Sequence, residues 1–158
     1  MEHLANRRTL IQGALASGFL AGLVSVGLLT PSRVLAAGSA DAFAANNTET
    51  ALRALYADGT LTESTAIALE APGIAENGAV VPISVSTPLE GVESITLLVD
   101  DNPSPLAAHF ELPPRALAEV STRIRMGQTS SVMAVVKANG RLYTRRRQVQ
   151  VLVGGCLS

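Results

Sequence analysis

Cysteine, tryptophan and aromatic residues in general are scarce in this chain of 158 residues. It has one cysteine, no tryptophan and an aromatic fraction of 3%. A single cysteine excludes an internal disulfide, and the core must rest on valine, isoleucine, leucine and alanine. A net charge of −1 gives no overall electrostatic reason to expect a nucleic acid or an anionic membrane as partner. The folded part must therefore hold together by aliphatic packing, alone or with a partner subunit.

The amino-terminal segment has the three-part layout of an export signal. Arg7 and Arg8 form its basic end and lie in "NRRTLI", which is a twin-arginine signature. An apolar stretch diluted by glycine, serine and alanine follows over residues 10–30. The small residues after it predict cleavage after Ala36 ("VLA") or, as a second choice, after Ala44 ("AFA").

A membrane anchor is the alternative interpretation of this segment, because the apolar run is nearly long enough to cross a bilayer. Its glycines and serines, the paired arginines and the small residues at its end favour a cleaved signal. We therefore predict a twin-arginine signal over residues 1–36 and export to the periplasm. About 120 residues remain, which is enough for one domain.

The exported chain begins with a predicted helix over residues 46–58. Asn46 and Glu49 have the spacing of a capping box, and Gly59 supplies a stop. The predicted apolar face of this helix consists of Leu52, Leu55 and Tyr56.

The rest of the domain has the patterning of β-strands. Strands are predicted at 64–70, 80–87, 94–100, 107–112, 119–126, 131–138 and 141–153. Asn-Gly at 139–140 predicts a hairpin turn, and Pro82 predicts an edge or a bulge in its strand. Seven short strands with no helix between them predict an immunoglobulin-like, antiparallel, all-β sandwich over residues 46–153.

Few side chains of the predicted sandwich could carry chemistry. The candidates are one histidine, two adjacent carboxylates and three consecutive arginines: His109, Asp100, Asp101, Arg145, Arg146 and Arg147. The histidine has no second histidine or cysteine near it, so a local hydrogen bond is favoured over a metal-ligand role. The aspartates precede Asn-Pro, which favours a turn over acid–base or calcium chemistry. The arginines alternate between faces, which favours a charged edge or a salt-bridged partner surface over an oxyanion site. No metal or cofactor is predicted.

The only cysteine, Cys156, lies two residues from the end of the sequence, in "VQVLVGGCLS". Gly154 and Gly155 impose no fixed backbone geometry on it, so residues 154–158 are predicted as a flexible arm. A mobile thiol suits a carrier that presents a sulfur-linked group to several enzymes, since thiolates exchange reversibly with sulfur. The alternative is an interaction module whose cysteine tethers chains by an intermolecular disulfide.

Several stretches resemble the Y subunit of the Sox thiosulfate-oxidising system (SoxY). They are "IAENGAVVPISV", "ITLLVDDNPSPLAAHFEL", "STRIRMGQTSSVMAVVKANGRLYTRRRQVQV" and the terminal "GGC". The resemblance implies an immunoglobulin-like sandwich and a carrier that is not itself an enzyme. It also implies that Cys156 is the covalent attachment point for the sulfur substrate.

The same resemblance implies a set of partners. It predicts a heterodimer with the Z subunit of the Sox system. It also implies a c-type cytochrome complex that couples thiosulfate to the thiol, a metal-dependent hydrolase that releases sulfate, and a sulfane dehydrogenase that oxidises the remaining sulfur.

One departure from the family pattern stands at the end of the chain. The family arm usually ends in Gly-Gly-Cys-Gly-Gly, whereas Leu157 and Ser158 replace the last two glycines here. We hypothesise that this chain serves enzymes with a roomier channel, takes sulfur from a different donor, or is a divergent paralogue.

Overall fold

The structure is a computed structural model that describes residues 40–57 and 59–152. The predicted signal with Arg7 and Arg8, and the predicted arm with Gly154, Gly155 and Cys156, lie outside these residues. Residues 40–44 have helical backbone and precede helix α1, Thr48–Tyr56. The strands are β1 Leu61–Glu63, β2 Ala68–Glu70, β3 Ile74–Ala75, β4 Val81–Ser86, β5 Val92–Val99, β6 Leu106–Glu111, β7 Glu119–Ile124, β8 Ser130–Ala138 and β9 Arg141–Val151.

These strands form two sheets, and the predicted all-β sandwich is confirmed. The larger sheet has the order β1-β9-β8-β5-β6, with β3 paired to the end of β9, and the smaller sheet has the order β2-β4-β7. Most pairs are antiparallel, but β1 and β3 both run parallel to β9. The sandwich is therefore antiparallel as predicted, except at these two short strands.

The described residues contain nine strands, whereas the sequence predicts about seven. The stretch predicted as one strand at 64–70 contains only β2, and β1 ends just before it. The chain changes sheets here, because β1 pairs with β9 in the larger sheet while β2 pairs with β4 in the smaller one. Strand β3 has only two residues, too few to give an alternating pattern.

The hairpin between β8 and β9 agrees with its prediction. Asn139 and Gly140 have φ values of 49° and 72°, and they connect the paired residues Ala138 and Arg141. Positive φ at both central residues is the geometry that Asn-Gly favours in a two-residue hairpin loop. This turn fixes the register of the two longest strands.

The main core lies between the two sheets and is almost entirely aliphatic. Its fully buried members include Val81, Ile83, Val85, Ile95, Leu97, Val99, Val132, Ala134 and Val136. Strand β8 is buried on both faces, as its apolar sequence predicts, because Met133 and Val135 belong to a second core on the other side.

The second core lies between the larger sheet and helix α1. Its buried members are Ala42, Ala45, Ala51, Leu98, Leu106, Met133, Val135 and Leu142. The predicted apolar face of the helix, with Leu52, Leu55 and Tyr56, packs against this cluster. The helix therefore covers the outer face of the sheet.

The predicted capping residue of α1 is wrong by one position. Asn47 is the cap, and its side chain accepts a hydrogen bond from the Thr50 backbone N–H at 2.8 Å. Glu49 does not complete a capping box but forms a salt bridge with Arg53 at 2.7 Å. The helix ends at Ala57 with φ 52°, before the predicted stop at Gly59.

Pro82 lies in the central strand of the smaller sheet, yet at a position with a single neighbour. Strand β2 pairs only with Ser84–Ser86 of β4, so Pro82 faces Arg123 of β7 and has no β2 partner. The missing N–H is tolerated because β4 is an edge at this point.

No helix within residues 40–57 and 59–152 is long and apolar enough to cross a membrane.

Candidate functional site at the end of β9

The predicted arm follows β9 in the sequence, and strand β3 pairs with the backbone at the end of β9. Ile74 and Ala75 pair in parallel with Gln150 and Val151. The Leu152 N–H donates to the Ala75 carbonyl at 2.9 Å, and the Gln150 N–H donates to the Gly73 carbonyl at 3.0 Å. The chain is therefore held by backbone hydrogen bonds to a point four positions before Cys156.

The loop between β7 and β8 holds the same backbone from another direction. The Val151 N–H donates to the Thr129 hydroxyl at 2.9 Å, and that hydroxyl lies 3.5 Å from the Val151 carbonyl oxygen. Thr129 thus provides a hydrogen-bond partner for the backbone N–H and carbonyl of Val151, the last residue of β9.

Gly78 allows three segments to meet closely beneath this point. A Cβ atom at Gly78 would lie 2.3 Å from the Met126 carbonyl oxygen and 2.7 Å from Val151 Cγ1. The Met126 N–H also donates to the Gly78 carbonyl at 2.7 Å. Only glycine fits this contact, so the base of the arm is a tightly packed junction.

Apolar side chains remain exposed around the junction. Ile74, Val80 and Leu152 have exposed fractions of 56%, 51% and 54%. Ile74 lies beside Gln150, which is two residues before Leu152 on the same face of β9. The junction therefore presents apolar surface to solvent next to the segment that leads to the thiol.

The geometry of the junction sets how far the thiol reaches. Four residues separate Leu152 from Cys156 in the sequence, and an extended chain spans at most about 3.3 to 3.6 Å per residue, or roughly 13 Å in total. A fixed base followed by Gly154 and Gly155 thus keeps the thiol within about 13 Å of the sandwich surface.

His109 lies at the other end of the sandwich, and its predicted local hydrogen bond is confirmed. Its Nδ1 is 2.7 Å from the Thr96 hydroxyl, which is 2.5 Å from the Tyr56 hydroxyl. The Tyr56 hydroxyl is also 3.2 Å from the Ser94 hydroxyl. Burial lowers the pKa of His109, with Glu111 opposing the effect, and burial raises the pKa of Tyr56. This network joins α1 to the larger sheet.

The two aspartates have structural roles, as the sequence predicts. Asp100 accepts a hydrogen bond from the Thr48 hydroxyl at 3.1 Å and forms a salt bridge with Arg146. The Asp101 N–H donates to the Ser130 hydroxyl at 3.0 Å. Both residues lie in a turn directly after β5. Within the described part of the chain, no group of three or more histidine, cysteine or acidic residues is placed to hold a metal ion.

The three arginines of β9 do not form one anion site. Arg146 pairs with Asp100, and Arg145 lies 3.9 Å from the Glu63 carboxylate. Arg147 and Arg145 share the opposite face of β9, as alternation requires. Arg145 and Arg146 thus form ion pairs within the chain, and the salt-bridged partner surface stays a prediction.

Sequence patterns did not predict the residues that hold the base of the arm. Thr129 and Gly78 act through contacts with Val151, which is more than 20 positions further along the chain. The hydroxyl of Tyr56 was also missed, since the sequence assigns this residue only to the apolar face of the helix. No local pattern indicates such distant partners.

Comparison with known proteins places this geometry in a family. A family model described as "Sulfur oxidation protein SoxY" matches residues 52–156, more than half of the chain. The match ends on Cys156. No curated protein matches the sequence.

The structure of the sulfur carrier protein SoxY from Chlorobium limicola f thiosulfatophilum is similar in fold and sequence. Its TM-score is 0.61 and its identity 42%, with 66% of this chain and 96% of that chain covered. A superoxide reductase (neelaredoxin) from Ignicoccus hospitalis gives a TM-score of 0.49 at 17% identity, covering 54% and 79% of the two chains. The first likeness agrees with the family model over nearly the whole solved structure, and the chain belongs to the SoxY family of sulfur oxidation proteins.

Proposed function

We propose that this protein is a covalent carrier of sulfur intermediates in the periplasm, with Cys156 as the attachment point. The observation that carries the proposal is the family match that runs to Cys156, together with the likeness to a sulfur carrier protein. The carrier holds a sulfur group on the thiol and presents it to separate enzymes. In this proposal the sandwich serves as a scaffold for the thiol, and the separate enzymes carry out the chemistry.

The junction at the end of β9 supports a carrier rather than an enzyme. A catalytic nucleophile needs a fixed position relative to a base and an oxyanion site. Here Thr129 and Ala75 hold the chain at Val151 and Leu152, and Gly154 and Gly155, which impose no fixed backbone geometry, precede the thiol in the sequence. A defined base followed by two glycines is the arrangement that a carrier needs.

The proposed partners are those that the resemblance to SoxY implies, and the chemistry of the cargo agrees with them. Coupling thiosulfate to a thiol removes two electrons, which suits a c-type cytochrome complex. Release of sulfate from a thiosulfonate consumes water, which suits a hydrolase, and oxidation of the remaining sulfur suits a dehydrogenase. The Z subunit is proposed as the stable partner in a heterodimer.

We propose export by the twin-arginine route with cleavage after Ala36. Ala42 and Ala45 are buried in the second core, and the Ser104 hydroxyl donates to the Phe43 carbonyl at 2.8 Å. Cleavage after Ala44 would remove Ala42 from the packed layer and would remove the Phe43 carbonyl that Ser104 contacts. The earlier site therefore leaves the folded domain whole.

The test is reconstituted turnover of thiosulfate to sulfate with the native periplasmic enzymes. We expect the exported chain to support sulfate release and the Cys156→Ser variant to support none. A variant at an exposed site away from the arm, Arg141→Gln, serves as the matched control and should retain full turnover. Equal sulfate release with wild-type and Cys156→Ser chains would contradict the carrier and favour a tethering role.

A further inference from the structure

A cleft of about 440 Å³ lies at the same end of the sandwich as the base of the arm. It opens between β6, the edge of the larger sheet, and β7, an edge of the smaller sheet. Its lining includes Asn102, Ser104, Leu106, Arg123, Ile124 and Arg125, and no acidic side chain contributes to it.

The walls of this cleft are held in place by one side chain. The Asn102 amide donates to the Arg125 carbonyl at 2.7 Å, and its oxygen accepts from the Gly127 N–H at 3.0 Å. Leu106 and Ile124 are buried at the floor. The two loops that form the cleft are therefore fixed relative to each other.

The charge of the cleft suits an anion. Arg123 and Arg125 are exposed, and neither forms a salt bridge with any other described residue. A guanidinium group offers forked N–H donors that match the oxygens of a sulfonate. The cleft beside His109 differs, because Glu93 and Glu111 both line it.

The arm is long enough to reach this cleft. Gly127 lines the cleft and stands two residues before Thr129, whose hydroxyl accepts from the Val151 N–H at 2.9 Å. Two residues span at most about 7 Å, and the four residues from Leu152 to Cys156 span up to roughly 13 Å. The thiol can therefore reach the side of the cleft formed by Gly127 without any movement of the sandwich.

We propose that an anionic sulfur adduct on Cys156 docks in this cleft against Arg123 and Arg125. The inference rests on the proposed carrier function, since it concerns the loaded state of the same thiol. An unloaded thiol carries no sulfonate group, so it offers the arginines no anion of this kind to bind. In this proposal the arginines bind the loaded arm, whereas they gain no such contact with the unloaded arm.

The test loads the thiol chemically, without any partner enzyme. The thiolate of Cys156 attacks a central sulfur of tetrathionate and expels thiosulfate, which leaves Cys–S–S–SO₃⁻. Methyl methanethiosulfonate gives the matched uncharged adduct, Cys–S–S–CH₃, with methanesulfinate as the leaving group. Both adducts lengthen the side chain by one disulfide bond and differ mainly in charge.

The measurement compares backbone amide NMR spectra of the two adducts of the exported chain. We expect the charged adduct to shift the amide signals of Ile124, Arg125 and Gly127 relative to the uncharged adduct. The shift difference should fall by at least half in the double variant Arg123→Gln, Arg125→Gln and persist in Arg141→Gln. It should also shrink when salt is raised to about 0.5 M, because exposed charges are then screened.

Identical amide shifts for the two adducts would overturn the proposal, as would a difference that survives loss of both arginines. The double variant is compared with wild type in its remaining amide signals to show that it is folded. Because the adducts are made chemically, a negative result here does not depend on whether the native enzymes load Cys156. Conversely, failure of Cys156 in reconstituted turnover would contradict the carrier function whatever the adducts do.

Discussion

Tyr56, Thr96 and His109 join the helix to the sheet through polar atoms in an otherwise aliphatic layer. Thr96 is fully buried, and its hydroxyl contacts both the Tyr56 hydroxyl and His109 Nδ1. The edge of the Tyr56 ring meets the His109 ring with centroids 6.3 Å apart. Such a network fixes where α1 lies on the sheet, because a buried hydroxyl without a partner costs about 1 to 3 kcal/mol.

The first prediction concerns the pH dependence of stability at His109. Burial lowers its pKa in the folded state, so below the unfolded pKa of about 6.5 the unfolded chain binds more protons than the folded chain. The free energy of unfolding should therefore fall as pH drops from 7.5 towards 5.5, by less than about 1.4 kcal/mol per pH unit. Urea unfolding at several pH values measures this.

The matched variant is His109→Gln, which removes the titrating group. His3 lies in the predicted signal, so His109 is the one histidine of residues 37–158. The pKa of Glu93 is lowered, mainly by its hydrogen bond from Lys137. This contribution to stability is present above the unfolded carboxyl pKa and is lost only at lower pH. An unchanged pH slope in His109→Gln would contradict the assignment.

At the scale of elements, the start of α1 is set by one of two adjacent asparagines. The Asn47 side chain accepts from the Thr50 N–H, whereas Asn46 contacts only the side chain of Asn47. We expect Asn47→Ala to lower the free energy of unfolding by about 1 kcal/mol, and Asn46→Ala to change it little. Urea unfolding of the two variants checks this, and a larger loss for Asn46→Ala would restore the capping box that the sequence predicts.

The junction at the end of β9 can be tested with a matched pair of glycine variants. Ala in place of Gly78 would put a Cβ against the Met126 carbonyl, whereas Gly73 has no atom within 4 Å of such a Cβ. We expect Gly78→Ala to destabilise the fold by about 1 to 3 kcal/mol through overpacking and Gly73→Ala to change stability by less than about 0.5 kcal/mol. Unfolding midpoints and hydrogen exchange at the Leu152 amide measure both effects.

Equal midpoints for the two glycine variants would mean that the three segments do not meet as closely as described. Faster exchange at Leu152 in Gly78→Ala alone would show that the packing under Val151 holds the base of the arm. These outcomes separate a local role in the arm from a general role in stability.

The sequence predicted those elements whose signal is local. The alternation in β4 and β5 and the continuous apolar run of β8 predict strands that differ from the structure by at most two residues at each end, and Asn139-Gly140 predicts its turn. Strands β1 and β3 escaped prediction because their only partner is β9, more than 70 positions away. The helix cap was misplaced because Glu49 completes a capping-box spacing in sequence but pairs with Arg53 in the structure.

At the scale of the whole molecule, the chain forms a packed sandwich, and the proposed reactive group, the Cys156 thiol, comes after it in the sequence. Residues 61–151 carry the strands of the fold, and the thiol follows the last of them in the sequence. The identity of Cys156 as the candidate site came from its position after two glycines and from the family resemblance. The junction residues Thr129 and Gly78 became visible only in three dimensions, because what they contact is distant in sequence.

The measurement that tests the carrier most directly is the intact mass of the exported protein after exposure to thiosulfate and its native periplasmic partners. The account predicts a chain that starts at Ala37 and carries added sulfur or a thiosulfonate group, lost with dithiothreitol and absent from Cys156→Ser. An unmodified mass, or only a disulfide-linked dimer, would contradict it.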